Sequence, residues 1–402
     1  MQNNPLYDLL LKNGRVLDPA NNVDAYADVA IHQGKIAEIS PDIPASRAEN
    51  VVDVTGSQVV PGLIDIHMHA YYTREATDIG VMPDFHSFRS GVTTVVDTGT
   101  AGAKHFLHFK QTVIDCAKTR VLAFINIVHS GMTGPFEQES NEMDVESAAS
   151  VVLAYPEVCV GIKTAHYWTH EPFDKEHPPW LAVERAVQAG EMCGKPVMVD
   201  FWHRPERPYS ELLLEKMRPG DIHTHVYAQQ FPLLDESGKL FPFLNEARKR
   251  GIIFDVGHGA ASFWFRQAIP CMDQGFAPDS ISTDLHTGNA NGCVLDMLTT
   301  MSKFLNMGMS LQDVIARSTV APATEIGRPE LGTLSVGAEA DVAVLNLLEG
   351  EFPFVDCGKA RIVGSSKLES VLTVRAGRVV YNPQGLGLPL WQDAPPAYWR
   401  LP

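Results

Sequence analysis

Short apolar runs recur along the chain, and stretches with helix-like spacing separate many of them. After "VVPGLIDIHMH" (59–69) come "GVTTVVDTG" (91–99), "RVLAFINIV" (120–128) and "VCVGIKTAH" (158–166). "KPVMVDF" (195–201), "DIHTHVY" (221–227), "GIIFDVGHG" (251–259) and "DSISTDLH" (279–286) follow. Each has the length and turn-bounded, apolar character of a buried strand. Between them, "WLAVERAVQAGEMCG" (180–194) and "LFPFLNEARKRG" (240–251) repeat apolar positions with a helical period. Gly194 and Gly251 stand where a helix C-cap is expected. Eight strands alternating with helices predict an α/β protein, a (β/α)8 TIM-like barrel over residues 59–330. A doubly wound open sheet is the alternative. The barrel is favoured because polar residues gather at the C-terminal ends of many different strands.

The two ends of the chain follow another pattern and resemble one another. "LLLKNGRVLDP" (9–19) and "VLTVRAGRVVYNP" (371–383) share an apolar run, a basic residue, a Gly-Arg turn and a second run ending at Pro. Both predict β-hairpins, and "DVAIHQGKIAEIS" (28–40) and "EADVAVLNL" (339–347) add strands. The expectation is a small β-sandwich domain formed by the N- and C-terminal segments, 1–58 and 331–402. The tail 383–402, rich in Pro and Gly with two Trp, either wraps over the body or is unstructured.

Composition narrows the functional classes. A chain of 402 residues with 45% hydrophobic and 20% charged residues matches a soluble globular protein. A formal net charge of −16 disfavours nucleic acid and anionic membrane as partners, since both select a basic surface. Without a basic n-region or an apolar stretch long enough for a membrane span, the expectation is a cytoplasmic protein acting on a small molecule. A symmetric homo-oligomer is the default assembly. The six cysteines show no CxxC spacing, which argues against disulfides and a Cys-type zinc site.

The fifteen histidines carry more. In "DIHMHA" (65–70), His67 and His69 are two residues apart at a strand end, so both face one way. Two such imidazoles suit one metal ion; the plain alternative is a pair of hydrogen-bonded structural histidines. Lys163 ends the fourth run. Burial favours its neutral amine, which can take up carbon dioxide as a carbamate able to bridge two ions; an ordinary ion pair is the alternative. Asp200 and His203 follow the fifth run, His223 and His225 end the sixth, Asp255 and His258 the seventh, and Asp284 and His286 the eighth. A lone His is more often structural than a ligand, but independent core histidines would not line up in this way.

Together "GLIDIHMH", "VGIK", "THVY" and "STDLH" resemble the amidohydrolase superfamily over nearly the whole chain. "DVGHGAASF" (255–263) and "STDLHTGNANG" (282–292) resemble its dihydroorotase-like amidohydrolase/deacetylase branch. The resemblance implies two divalent metal ions, zinc foremost, with His67, His69 and Asp284 on the more buried ion and N-carboxylated Lys163 bridging. Lys163, a strand-5 residue and His225 would hold the other. It implies hydrolysis of an amide, cyclic amide or ester by a metal-bridging hydroxide, with Asp284 as the proton carrier. The family pattern places a His at the end of strand 5; here Asp200 stands there, and His203 is the alternative ligand.

Other residues near the strand ends have two readings each. His258 and His286 either touch substrate or orient other groups. Arg204 and Arg207 either clamp a substrate carboxylate or are solvated. Tyr71, Tyr72 and Trp168 either line the pocket or pack at the surface, and "HSGMTGPFEQES" (129–140) is a candidate lid. Two rival functions remain. One is a mononuclear deaminase using "HRPE" (203–206) as a His-x-x-Glu proton shuttle, which would not need Lys163. The other is a non-catalytic binding protein on the same fold.

Overall fold

The computed structural model describes residues 6–73, 79–164 and 166–396. Seven strands form a parallel sheet in sequential order: Leu63–Met68, Val92–Gly102, Arg120–Asn126, Cys159–Thr164, Val197–Val199, Ile222–His223 and Ile253–Phe254. Each strand of a parallel sheet is covered on both faces, so near-continuous apolar runs are what this architecture selects. Every residue of Val92–Gly102 is buried accordingly.

The eighth expected strand is an extended segment, 280–285, held by single parallel bridges between Asp255 and Ser280 and between Met68 and Leu285. The His258 N–H donates to the Ser282 carbonyl at 3.2 Å and the Asp284 N–H to the His67 carbonyl at 2.6 Å. Thr283 donates its N–H to the Asp65 carboxylate at 3.0 Å and its hydroxyl to the same group at 2.5 Å. One segment therefore bonds both edge strands, and the curled sheet closes into a barrel. Helices Leu181–Cys193 and Pro242–Arg250 lie where the periodicity places them, and both end at glycines in the left-handed region, Gly194 (φ 66°) and Gly251 (φ 94°).

The run 59–69 divides. Gln58–Pro61 belongs to the sheet of the termini, where it pairs antiparallel with Val342–Val355 and parallel with Tyr7–Asp18. The expected boundary after residue 58 thus falls within this strand. The barrel begins only past Gly62, where a Cβ would lie 2.2 Å from the Thr93 hydroxyl.

Both termini build one continuous sheet of eight strands, ordered Arg378–Tyr381, Arg361–Arg375, Val342–Val355, Gln58–Pro61, Tyr7–Asp18, Val23–His32 and Lys35–Ser40, with Ala48–Asp53 also pairing Tyr7–Asp18. The hydrogen bonding joins all eight strands in one sheet. Leu11 and Val29 from one end of the chain share a buried cluster with Val342 and Leu372 from the other. Leu386 of the tail packs on that cluster, while Leu388, Leu390 and Trp391 are exposed. The tail beyond residue 396 lies outside the described residues. Among the described residues no helix is long and apolar enough to cross a membrane.

Asp28 is a buried anchor of this sheet. Its carboxylate accepts the N–H groups of Asn13 and Ile43, each at 2.8 Å, and the Lys12 ammonium at 2.6 Å. Burial alone would raise its pKa, but these donors outweigh burial and lower it. A carboxyl with a depressed folded-state pKa adds stability above its unfolded value, and that stability is lost as the pH falls through the folded pKa. Asp28→Asn is expected to cost about 1–3 kcal/mol at neutral pH and to flatten the loss of stability below about pH 4. Urea unfolding at several pH values reads both; an unchanged acid slope would rule out this role.

Candidate metal centre and active site

The C-terminal ends of the strands enclose a cavity of about 240 Å³. His67, His69, Lys163, Asp200, His225, Asp284 and His286 line it, joined by Glu137 and His166. His67 ends the first strand. Its Nδ1 lies 2.8 Å from the Thr224 hydroxyl, which itself donates to Asp255 at 2.8 Å. The hydroxyl proton is committed to Asp255, so Thr224 accepts from His67 Nδ1–H and the Nε2 lone pair is bare. The same reasoning holds for His225: the Gly257 carbonyl, 2.5 Å from Nδ1, can only accept, which again leaves Nε2 bare.

These bare nitrogens face carboxylates. Asp284 Oδ1 lies 3.5 Å from His67 Nε2 and 3.1 Å from His69 Nε2, and Asp200 Oδ2 lies 3.4 Å from His225 Nε2. Buried oxygens Asp200 Oδ1 and Asp284 Oδ1 have no hydrogen-bond partner of good geometry. A lone pair facing a carboxylate oxygen in a buried site is repulsive unless a cation lies between them. Two ligands each about 2.0–2.2 Å from a tetrahedral ion stand roughly 3.3–3.5 Å apart, the spacing found here. Ligand atoms of His67, His225 and Asp284 all lie within 4.8 Å of one another.

The electrostatics agree. Burial, aided by Lys163, lowers the His67 pKa to about 4, so this imidazole is neutral at physiological pH. Burial alone would raise the pKa of Asp200, but His166, His225 and Lys163 outweigh it and hold the carboxylate ionised. Asp284 is held ionised against burial by His67 and His69. Burial disfavours a charged His225, but the neighbouring Asp200 outweighs it, so a cation, proton or metal, is favoured between them.

Two lining residues were assigned no role in the sequence. His166, three positions past Lys163, places Nε2 2.9 Å from Asp200 Oδ1; its place in "KTAH" was the available signal. Glu137 lies in the loop singled out as a lid, which also brings Met132 to the cavity. It accepts from Asn126 at 3.1 Å, and burial raises its pKa.

Three expected site residues lie elsewhere. Arg204 does not line the cavity: its guanidinium donates to the carbonyls of Trp168 and Glu171 and covers the Phe173 ring. His203, the alternative ligand, is likewise outside the lining, where Asp200 occupies the strand-5 position. His258 packs behind the cavity against Phe263, and its Nε2 accepts from the Lys303 ammonium at 2.6 Å. Glu206 of "HRPE" is half exposed beside Arg204. His223 and His225 also part company. His225 takes a positive φ of 61°, which breaks the alternation and turns it to the cavity, while His223 stays among Tyr209, Phe231 and Phe254.

Comparison with known proteins agrees with this architecture. A model described as "Amidohydrolase family" matches residues 265–380. A deacetylase of Enterococcus faecalis is 30% identical over 385 residues, covering 94% of this chain and 100% of that protein. Among solved structures, an adenine deaminase aligns with a TM-score of 0.84 and 29% identity, covering 94% of this chain and 100% of the other. A dihydroorotase aligns at 0.78 with 28% identity, covering 93% and 99%. The chain belongs to the amidohydrolase superfamily, in its dihydroorotase-like branch, and is a hydrolytic enzyme acting on carbon–nitrogen bonds.

Proposed function

We propose that the protein is a metal-dependent hydrolase of a small amide, cyclic amide or related acyl ester, in the manner of a deacetylase or dihydroorotase. The bare Nε2 atoms of His67 and His225 facing ionised Asp284 and Asp200 carry this reading. His67, His69 and Asp284 would hold one divalent ion, and Asp200 and His225 a second, with N-carboxylated Lys163 between them. Borderline-soft imidazole and carboxylate donors suit zinc. Divalent ions at such a centre supply Lewis acidity toward a carbonyl oxygen and make a water more acidic.

The chain's own groups do the rest. Asp284 takes a proton from the attacking water on its carboxylate and returns it to the leaving nitrogen. His286 is kept neutral by burial, and its Nδ1 accepts the Gly288 N–H at 3.0 Å, so Nε2 carries the hydrogen and is a donor for a substrate oxygen. The cavity volume suits a small acyl or cyclic amide group.

The adenine deaminase likeness favours a second reading, hydrolytic deamination of an aromatic amine. Against its mononuclear form stands Lys163 in the cavity, with Glu206 outside it. Metal content per chain, measured on protein purified without chelator and with bicarbonate, separates the two. About two ions per chain are expected for the bridged hydrolase and about one for the deaminase. None after metal is added back would overturn both.

A further inference from the structure

Behind the cavity wall lies a second cluster. Cys293, past the eighth barrel segment, and Cys357, in the turn that follows Val342–Val355, bring their sulfurs to 3.7 Å. Both are half-buried, in contrast to the fully buried Cys159, Cys193 and Cys271. Cys357 also approaches His258 Nδ1 at 3.9 Å. Lys303, fully buried, donates at 2.6 Å to His258 Nε2 and at 2.6 Å to the Cys293 carbonyl.

His258, Cys293 and Cys357 are spaced as a metal site would be, but the wiring opposes one. Nε2 of His258 is taken by an ammonium, and Nδ1 donates to the Gly259 carbonyl at 3.0 Å, so neither nitrogen is free. A buried ammonium beside the cluster repels a cation and favours an anion. A thiolate is the anion at hand. We propose that Cys293 and Cys357 form a peroxide-reactive dithiol, a redox modification site that joins the barrel to the sheet of the termini. The Cys357 S–H and the Lys303 charge both favour the Cys293 thiolate, and Cys357 keeps its proton.

The oxidant is a hydroperoxide. The Cys293 thiolate attacks one peroxide oxygen, the O–O bond breaks, and the departing oxygen takes up a proton to leave as water or an alcohol. Cys293 is then a sulfenic acid. Cys357 loses its proton, its sulfur attacks the Cys293 sulfur, and the S–O bond breaks to release water. Two thiols lose two electrons to the peroxide. The sulfurs close from 3.7 Å to about 2.05 Å.

The active site is close enough to register the change. Both sulfurs contact the Gly259 carbonyl, at 3.6 and 3.4 Å. Ala260, Ala261 and Ser262, which follow, line the cavity. Oxidation removes the Cys357 thiol hydrogen and draws together the two sulfurs that contact this carbonyl.

The test uses metal-loaded full-length protein treated with hydrogen peroxide, followed by alkylation and peptide mapping. Cys293 and Cys357 are expected to disappear from the alkylated set together, to appear as one linked peptide pair, and to return on treatment with dithiothreitol. Cys357→Ser is expected to abolish the link and to leave a dimedone-trappable Cys293 sulfenic acid. Lys303→Gln is expected to slow the reaction about tenfold, through loss of thiolate. Both thiols remaining alkylatable, Cys293 passing alone to the sulfinic acid in the parent protein, or protection reversed by a chelator without reductant would each overturn the proposal.

Discussion

Lys163→Ala is expected to lower kcat/KM by about 10³-fold or more, the scale of removing one charge-stabilising group from a transition state. It is also expected to reduce metal content. Lys163 is fully enclosed, with Nζ 3.9 Å from Asp200 Oδ2. Its stem packs against Gly99 so closely that a Cβ there would lie 2.9 Å from it. As a carbamate this enclosed amine would present two anionic oxygens to the metal-type ligands around it. That role can be told apart from a simple ammonium. In Lys163→Ala, acetate or propionate should restore part of the activity and the metal, because they replace the lost carboxylate. Rescue by an alkylamine instead, or full metal content without rescue, would sink the carbamate.

For Asp284→Asn the expected loss is about 10²–10⁴-fold in kcat, the usual contribution of a positioned acid–base group. The exchange is sterically mild. Asp284 sits at a positive φ of 49°, a region that Asn tolerates well. Gly259 backs the side chain, since a Cβ there would lie 2.6 Å from Asp284 Oδ2. The amide cannot take up a proton at neutral pH, so the acidic limb of the pH–rate profile should change along with the rate. Unchanged turnover would show that another group moves the proton, and Glu137 would be the next to test.

Much of this arrangement was legible in the sequence because period and polarity agreed there. Apolar runs of strand length located the barrel, and His67, His69, Lys163, Asp200, His225, Asp284 and His286 at the run ends line the cavity. His67 and His69 followed from strand alternation alone. That rule failed for His223 and His225, because the strand ends at His223 and the left-handed φ of His225 itself sends the two rings apart. Arg204 and His258 were misplaced for a related reason. Adjacency to a strand end does not decide which way a loop turns, and each found a closer partner, backbone carbonyls in one case and Lys303 in the other. Glu137 and His166 reach the cavity through loop geometry that no periodicity encodes. The split at Gly62 was hidden because two strands of different sheets meet in one unbroken apolar run.

The last barrel segment is held at each edge by a few backbone bonds, and it brings Asp284 to His67 across 217 positions of chain (284 − 67). Joining residues so far apart in sequence requires loop-closure entropy to be met before the contact across the seam is gained. Any ion held by His67, His69 and Asp284 can bind only after that seam is shut, so it acts as a latch on the circle. At a hundredfold excess over its dissociation constant such a latch adds about 2.7 kcal/mol to the closed form. Metal scarcity would then shorten the life of the fold as well as silence its chemistry, and supply of the ion would set how much of this protein a cell retains.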